Sequence, residues 1–324
     1  MNYKKPIRKY VYKIFEGFNQ SLHSIEVKTQ HRTALPHKLA PVFIIGLPRS
    51  GTTLLYQLLL NYFNWIYLPA SLDYFYGAPV SICRLQRWLV PKGDTLNYQS
   101  EYGVSRTHSI SAKLWGPIEG HRVWQRWFSE EPTHYHGSRL SPMAVNEMRH
   151  MVAGLMSIAG QPFLNKNPRH SMRLLPLSQA FPDAFFIVLK RDLLYVAQSL
   201  YIARIRKRPR PDPNDNWWGT KPREYLSLKN ADPMTQAVVQ TKAIESELIH
   251  QLAACKNNYI ECDYDDICTN PARALHDLQT VCLKNDIPLQ RVRFDDPKAF
   301  PFQNEKKGIS DADFDRLRKL LEYE

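Results

Sequence analysis

Apolar residues run unbroken from Pro41 through Val42, Phe43, Ile44 and Ile45 to Gly46, a length and β-branched content that predict a short buried strand. After the turn Leu-Pro-Arg-Ser-Gly-Thr-Thr the spacing becomes helical over Leu54 to Tyr62. The same strand, loop, helix grammar returns behind Phe181-Pro-Asp183: Ala184 to Leu189 reads as a strand, and Asp192 to Ala203 continues with apolar residues at Val196, Leu200 and Ala203. Between the two units, Pro117 to Phe128 and Ser141 to Ala159 are predicted helices, the second with Ser141 at the N-cap and Pro142 in the first turn. Phe163 to Asn165 is a predicted short strand, Asp232 to Cys255 a long helix, Tyr259 to Asp263 a strand and Asn270 to Leu283 a helix. Strands alternating with helices predict an α/β fold, three layers with a central, mostly parallel sheet flanked by helices.

Two segments stand outside this alternation. At the start, Ile7, Val11, Ile14, Phe15 and Phe18 share one helical face while Lys4, Lys5, Arg8, Lys9 and Lys13 surround it. Residues 1–40 therefore read as a basic extension carrying an amphipathic helix, able to dock on its own core or, through residues 4–18, to lie on an anionic membrane surface. Farther on, Arg204-Ile-Arg-Lys-Arg-Pro-Arg-Pro-Asp-Pro213 mixes charge with prolines and runs into Trp217 and Trp218, which predicts a surface connector or a lid.

Composition narrows the class. With 44% hydrophobic and 12% aromatic residues, 324 residues bury a full core, and disorder is excluded for most of the chain. The net charge is 43 − 31 = +12, which favours an anionic partner. Five cysteines, Cys83, Cys255, Cys262, Cys268 and Cys282, form no CxxC pair, so neither a disulfide framework nor a zinc site is expected. The apolar run Val42 to Ile45 is far shorter than the roughly 20 residues of a membrane span, and no signal peptide opens the chain. A cytoplasmic protein follows as the expectation, with peripheral contact to the inner membrane face as a variant of it.

Chemistry enters at Gly46-Leu-Pro-Arg49-Ser50-Gly51-Thr52-Thr53, which has the spacing of a phosphate-binding loop opening a helix. The ATPase and kinase version places Lys directly after the second glycine, with a hydroxyl beyond it for Mg²⁺; here Thr52 holds that slot and the cation has moved to Arg49. Such a loop holds a terminal oxyanion with amides, hydroxyls and guanidinium, and no metal is expected.

Pro48-Arg-Ser-Gly-Thr-Thr53 resembles the 5′-phosphosulfate loop of the sulfotransferase family, whose donor is 3′-phosphoadenylyl sulfate. Phe181-Pro-Asp through Lys190-Arg191-Asp192, with Ser199 eight positions after the arginine, resembles that family's 3′-phosphate site. An Arg fork at a strand end and a hydroxyl two turns into the next helix can converge on one phosphate, which ATP lacks. Asn165-Lys166-Asn167-Pro168 is similar to the Asn-Lys-Asp-Pro block of the tyrosylprotein branch, and the resemblance implies that Lys166 meets the oxygen bridging phosphate and sulfate. Cys262-Asp-Tyr264-Asp265-Asp266 followed by Asn270-Pro271 resembles the family's Tyr-Glu-Asp-Leu segment, with Asp265 in place of Glu, and Lys306-Lys307-Gly308 resembles its late basic loop over the 3′-phosphate and adenine. The resemblance implies a P-loop-like sulfotransferase domain over 41–324. The implied reaction moves a sulfuryl group from that donor to an acceptor hydroxyl, of a carbohydrate or glycolipid by the habit of bacterial relatives. Nucleic acid is not an expected partner.

An acceptor hydroxyl must give up its proton, so a Glu, Asp or His is required at the site. The region Trp65 to Tyr74 offers only Asp73. Glu119 in Gly116-Pro-Ile-Glu-Gly-His121 resembles a Gly-Pro-x-Glu segment of bacterial members and is the principal candidate, although after Pro117 it also suits a first-turn carboxylate facing a helix dipole. His121 and His170 are reserves. Trp115, Trp124, Trp127, Trp217 and Trp218 could stack on sugars or fill the core. Three rivals stay open at this level: a kinase on the same loop, a non-catalytic nucleotide or polyanion binder, and a basic scaffold for membrane or nucleic acid.

Overall fold

The structure of the protein, a computed structural model, describes residues 4–30, 35–36, 38–89, 114–128, 140–206, 217, 219–301 and 304–322, with the side chains of 4–14 outside that description. Four strands, β1 (Val42–Gly46), β2 (Leu164–Lys166), β3 (Phe185–Lys190) and β4 (Tyr259–Asp263), form one parallel sheet in the order β2-β1-β3-β4. The register sets Ile44 beside Lys166, Gly46 beside Leu189 and Lys190 beside Asp263, so all four strands point their carboxyl ends the same way.

The longer helices are α1 (Lys4–Gln30), α2 (Thr52–Tyr62), α3 (Pro79–Leu89), α4 (Pro142–Ala159), α5 (Leu193–Arg206), α6 (Pro233–Ala254), α7 (Pro271–Lys284) and α8 (Asp311–Glu322). Side chains along the central strands alternate between two apolar layers, as the period of a strand requires. Val42, Ile44, Phe185, Ile187 and Leu189 pack with Leu55, Leu59 and Tyr62 of α2 and with Leu275 and Leu278 of α7. Phe43, Ile45, Phe186 and Val188 face Met148, Val152 and Leu155 of α4 and Ala237, Ile244 and Leu248 of α6. With both faces covered, β1 reads as a continuous apolar run instead of an alternating one. The expected three-layer α/β architecture is therefore the one observed.

Strand order places the site. The chain leaves β1 for β2 on one side and later enters β3 on the other, so a crevice opens beyond the carboxyl ends of β1 and β3, where open α/β sheets bind ligands. The loop 47–51 and Arg191 flank that crevice from adjacent strands.

Boundaries of most predicted elements shift by one to three residues, but the predicted helix Pro117–Phe128 does not form as such. Its regular turn covers only His121–Trp124, because Gly120 takes a left-handed φ of 67° just before it. Residues Gly116 to Ile118 instead run extended, with Ala70 N–H donating to Gly116 O at 2.7 Å and Ile118 N–H to Leu68 O at 2.9 Å. Glu119 is thus outside a helical first turn, which removes the dipole-capping alternative. The sequence reading also passed over α3 and α8. The predicted connector beyond Arg206 falls on residues 207–216 and, with Trp218, lies outside the described residues.

Helix α1 is fastened by polar pegs. The Asn19 amide donates to Tyr74 O and accepts from Gly77 N–H at 2.8 Å, and Glu26 accepts from the Val80 and Ser81 N–H groups at the start of α3. A carboxylate there satisfies otherwise orphaned helix amides and favours the dipole. All five cysteines are free thiols. No helix among the described residues is long and apolar enough to cross a membrane.

Candidate functional site

The first element is the loop between β1 and α2. Arg49 has φ 72° and Gly51 φ 98°, both left-handed, so the chain folds back tightly before α2 begins. Only glycine fits at 51, since a Cβ there would overlap the Tyr264 ring. The N-terminus of α2 has no side-chain cap, which leaves first-turn amides and the positive end of the helix dipole facing the loop. Inside it, Ser50 is 1% exposed and its hydroxyl has no hydrogen-bond partner. A buried hydroxyl left unsatisfied is costly. A phosphate or sulfate oxygen seated in the loop would meet that hydroxyl together with the Thr52 and Thr53 end of α2, so the residues present fit an anionic group.

The second element grows from the end of β3. The Arg191 guanidinium donates through Nη1 to Arg49 O at 2.9 Å and through Nε to Asn304 Oδ1 at 2.7 Å, and it lies 4.3 Å from the centre of the Tyr264 ring. Arg49 in turn donates from Nε to Ser199 Oγ at 3.0 Å. The two sequence motifs are therefore one hydrogen-bonded unit, and the strained backbone of Arg49 is held by the bond its carbonyl receives. Burial pulls the Arg191 pKa below its ordinary value, against the opposing influence of Tyr264, Cys268, Asp265 and Asp192.

A late loop closes over this unit. Gln198 donates to Glu305 O at 2.9 Å and accepts from Lys307 N–H at 3.3 Å, while Asn304 donates to Asp265 Oδ1 at 2.6 Å. Gly308, with φ 70°, packs beside Arg206. Lys306 is exposed and ion-paired with Asp311. Asn304 and Gln198 are the residues sequence reading missed here. Both are neutral amides joining distant segments, and neither stands in a recognisable motif.

The third element lies at the end of β2. Lys166, 4% exposed, is ion-paired through Nζ with Glu119 Oε1, and His121 Nε2 sits 2.7 Å from Glu119 Oε2. Asn167 fixes the proton positions. Its Oδ1 accepts from Arg169 N–H at 3.0 Å, so its Nδ2 is the atom facing Glu119 O at 3.2 Å and His121 Nδ1 at 3.3 Å. With Nδ1 accepting, Nε2 carries the imidazole proton and donates it to Glu119. Burial pushes the Glu119 carboxyl up, but Lys166 and His121 outweigh it and hold it well below the usual carboxylate range.

The remaining candidates divide. Asp73 is exposed on the surface; partial desolvation raises its pKa, opposed by Arg122 and His121, which places it within electrostatic reach of the Glu119 cluster. His170 is fully buried, 3.1 Å from Asn165 Oδ1 and edge-on to Trp124, and burial and Arg173 hold it well below the ordinary histidine value. It is a neutral core histidine. Trp124 and Trp217 are buried, their indole N–H groups spent on Asn165 and Thr220, and Trp127 donates to Glu147, so these rings fill the fold. Tyr56 of α2 adds an unforeseen group: its buried hydroxyl has no hydrogen-bond partner and feels the Glu119 charge.

Residues 41–283 match the family model described as the sulfotransferase family. Among solved structures, sulfotransferase STF9 from Mycobacterium avium aligns at 15% identity over 91% of this chain and 72% of that one, with a TM-score of 0.51. Sulfotransferase STF1 from Mycobacterium tuberculosis H37Rv aligns at 16% identity over 80% of this chain and 71% of that one, with a TM-score of 0.48. No curated protein matches in sequence. At these identities the first structure supports the fold alone; the family model, spanning most of the chain and all three elements of the crevice up to Tyr264, carries the assignment. The chain belongs to the sulfotransferase family, and its chemistry is sulfuryl transfer.

Proposed function

We propose that the protein transfers a sulfuryl group from 3′-phosphoadenylyl sulfate to a hydroxyl of a carbohydrate or glycolipid. The observation that carries this reading is the bond of Arg49 to Ser199 and of Arg191 to the Arg49 carbonyl, which joins the anion loop and the second cationic site into one cradle across the β1/β3 crevice. A donor with phosphates at both ends of one adenosine matches two linked anion sites, and an ordinary nucleoside triphosphate does not.

On this reading Arg49, Ser50, Gly51, Thr52 and Thr53 hold the 5′-phosphosulfate. Arg191 and Ser199 hold the 3′-phosphate, beneath the loop of Lys306, Lys307 and Gly308. The donor supplies an activated sulfur. As the acceptor oxygen bonds to that sulfur, Glu119 takes its proton, and Lys166 meets the electron pair returned to the leaving phosphate. The ion pair between the two explains how both roles fit one site. In the free protein Lys166 and His121 keep Glu119 ionised and make it a weak base. When Lys166 turns to the donor, Glu119 loses one cation and becomes a stronger base at the moment an acceptor needs one. Most of the acceleration then comes from positioning and fixed charge.

The test is incubation of the purified protein with sulfur-labelled donor and a panel of glycans, glycolipids and phenols, beside Lys166→Ala and Glu119→Gln. The reading expects label on a saccharide hydroxyl and its loss in both variants. Label on no acceptor, together with no thermal shift from 3′-phosphoadenosine 5′-phosphate, overturns it.

A further inference from the structure

We propose that the exposed flank of α1, together with the Tyr74–Phe75 turn, is a docking surface for an anionic lipid membrane. Helix α1 inverts the usual arrangement, in which a surface helix buries its apolar stripe on the core. Among its described side chains, those of residues 15–30, the buried ones are Asn19 and Glu26, whereas Phe15 is 38%, Phe18 48% and Ile25 64% exposed. In sequence the apolar positions Ile7, Val11, Ile14, Phe18 and Ile25 recur at the spacing of one helical stripe, and Phe18 and Ile25 are its solvent-facing members among the described side chains.

The surface extends onto a second segment. The Phe18 ring meets Phe75 edge to face at 6.3 Å, and Phe75 is 36% and Tyr74 57% exposed. Asn19 holds the two segments in fixed relation, because its amide bonds Tyr74 O and Gly77 N–H on either side of Phe75. Charge selects the occupant. The first ten positions of α1 contain Lys4, Lys5, Arg8, Lys9 and Lys13 and no carboxylate, the first being Glu16. Aromatic side chains beside a polybasic stretch are the two signals that together give stable attachment to an anionic bilayer, each alone being marginal.

The surface also adjoins the crevice. Leu68 and Ala70 bond to Ile118 and Gly116, next to Glu119, and the same stretch continues through Asp73 to Tyr74 and Phe75. Docking would set the segment that pairs with residues 116–118, beside Glu119, close to the bilayer. This consequence rests on the proposed function and favours a hydroxyl borne by a lipid over a soluble one.

The experiment is co-sedimentation of the full chain with vesicles of phosphatidylglycerol and phosphatidylcholine, against vesicles of phosphatidylcholine alone. Wild type is expected to pellet with the anionic vesicles only and to be released by salt. The triple variant Phe15→Ser, Phe18→Ser, Phe75→Ser is expected to lower the partition coefficient roughly tenfold or more. A second variant with Lys4, Lys5, Arg8, Lys9 and Lys13 changed to Gln leaves the aromatic side intact and is expected to lose the preference for anionic lipid. Circular dichroism of both confirms that the fold is retained. No pelleting of wild type at low salt, or pelleting of both variants with anionic vesicles equal to that of wild type, overturns the proposal. So does a wild-type dimer that the triple variant splits without any vesicle binding, which would make the surface a contact between copies. Thermal shift by 3′-phosphoadenosine 5′-phosphate on the same samples reports the donor reading separately.

Discussion

The two sides of the β1/β3 crevice spend their bonding capacity differently. On the donor side, Arg49, Arg191, Ser199 and Asn304 brace one another through charge-to-neutral bonds, and the Ser50 hydroxyl is buried with nothing to bond. On the acceptor side, Lys166, Glu119 and His121 already compensate one another, with Asn167 fixing the imidazole proton. One side is set to receive an anion with little rearrangement; the other must open an ion pair before its groups can act. On the proposed function, binding falls to the first and the charge-moving step to the second.

The largest effect should come from the compensated side. Lys166→Ala leaves the Glu119 carboxylate without its main partner, and removing one member of a buried pair costs about 3 kcal/mol. Loss of leaving-group stabilisation should lower transfer by about a thousandfold. Denaturant melts and a single-turnover assay check the two numbers, and a variant of unchanged stability would show that the pair is not a buried, compensated unit.

On the donor side, Arg191→Ala should weaken binding of 3′-phosphoadenosine 5′-phosphate by about a hundredfold, the worth of two charge-assisted bonds, while sparing the Lys166–Glu119 pair. Calorimetry gives the affinity. Ser50→Ala makes the asymmetry sharper, because one substitution should move two properties in opposite directions. Deleting an unsatisfied buried hydroxyl should raise ligand-free stability by about 1 kcal/mol and weaken the same ligand roughly tenfold. A fall in stability would mean that the hydroxyl is already spent.

The smallest effect is the acid response. The folded pKa of Glu119 is depressed, so its contribution to stability is present above the ordinary value of 4.5 and is lost as pH falls through the lowered folded value. The stability gap between wild type and Glu119→Gln should therefore narrow as melts move from neutral pH to below 4.5. A constant gap would mean that Glu119 is not held ionised.

The same division decides what could be read from the chain. Arg49 to Thr53, Arg191 and Ser199 sit within single strand–loop–helix units, where spacing alone fixes their relative positions. Lys166 was legible as part of a short block at a strand end. The partnership of Lys166 with Glu119 and His121 was not, because it depends on Gly120 turning left-handed and on residues 116–118 pairing with 68–70. Asn304 and Gln198 were invisible for a related reason: an amide that bridges distant loops has no local signature. Helix α1 was legible as amphipathic, yet its attachment through Asn19 and Glu26 was not, since the pattern marks the apolar face and says nothing about which face docks.

The account stands most directly on whether one ligand is gripped at both ends. Calorimetric titration of 3′-phosphoadenosine 5′-phosphate and adenosine 5′-phosphate into wild type and Arg191→Ala measures this. The expected result is that wild type prefers the bisphosphate by about a hundredfold and that the preference vanishes in the variant. Equal affinity of wild type for the two nucleotides would contradict it.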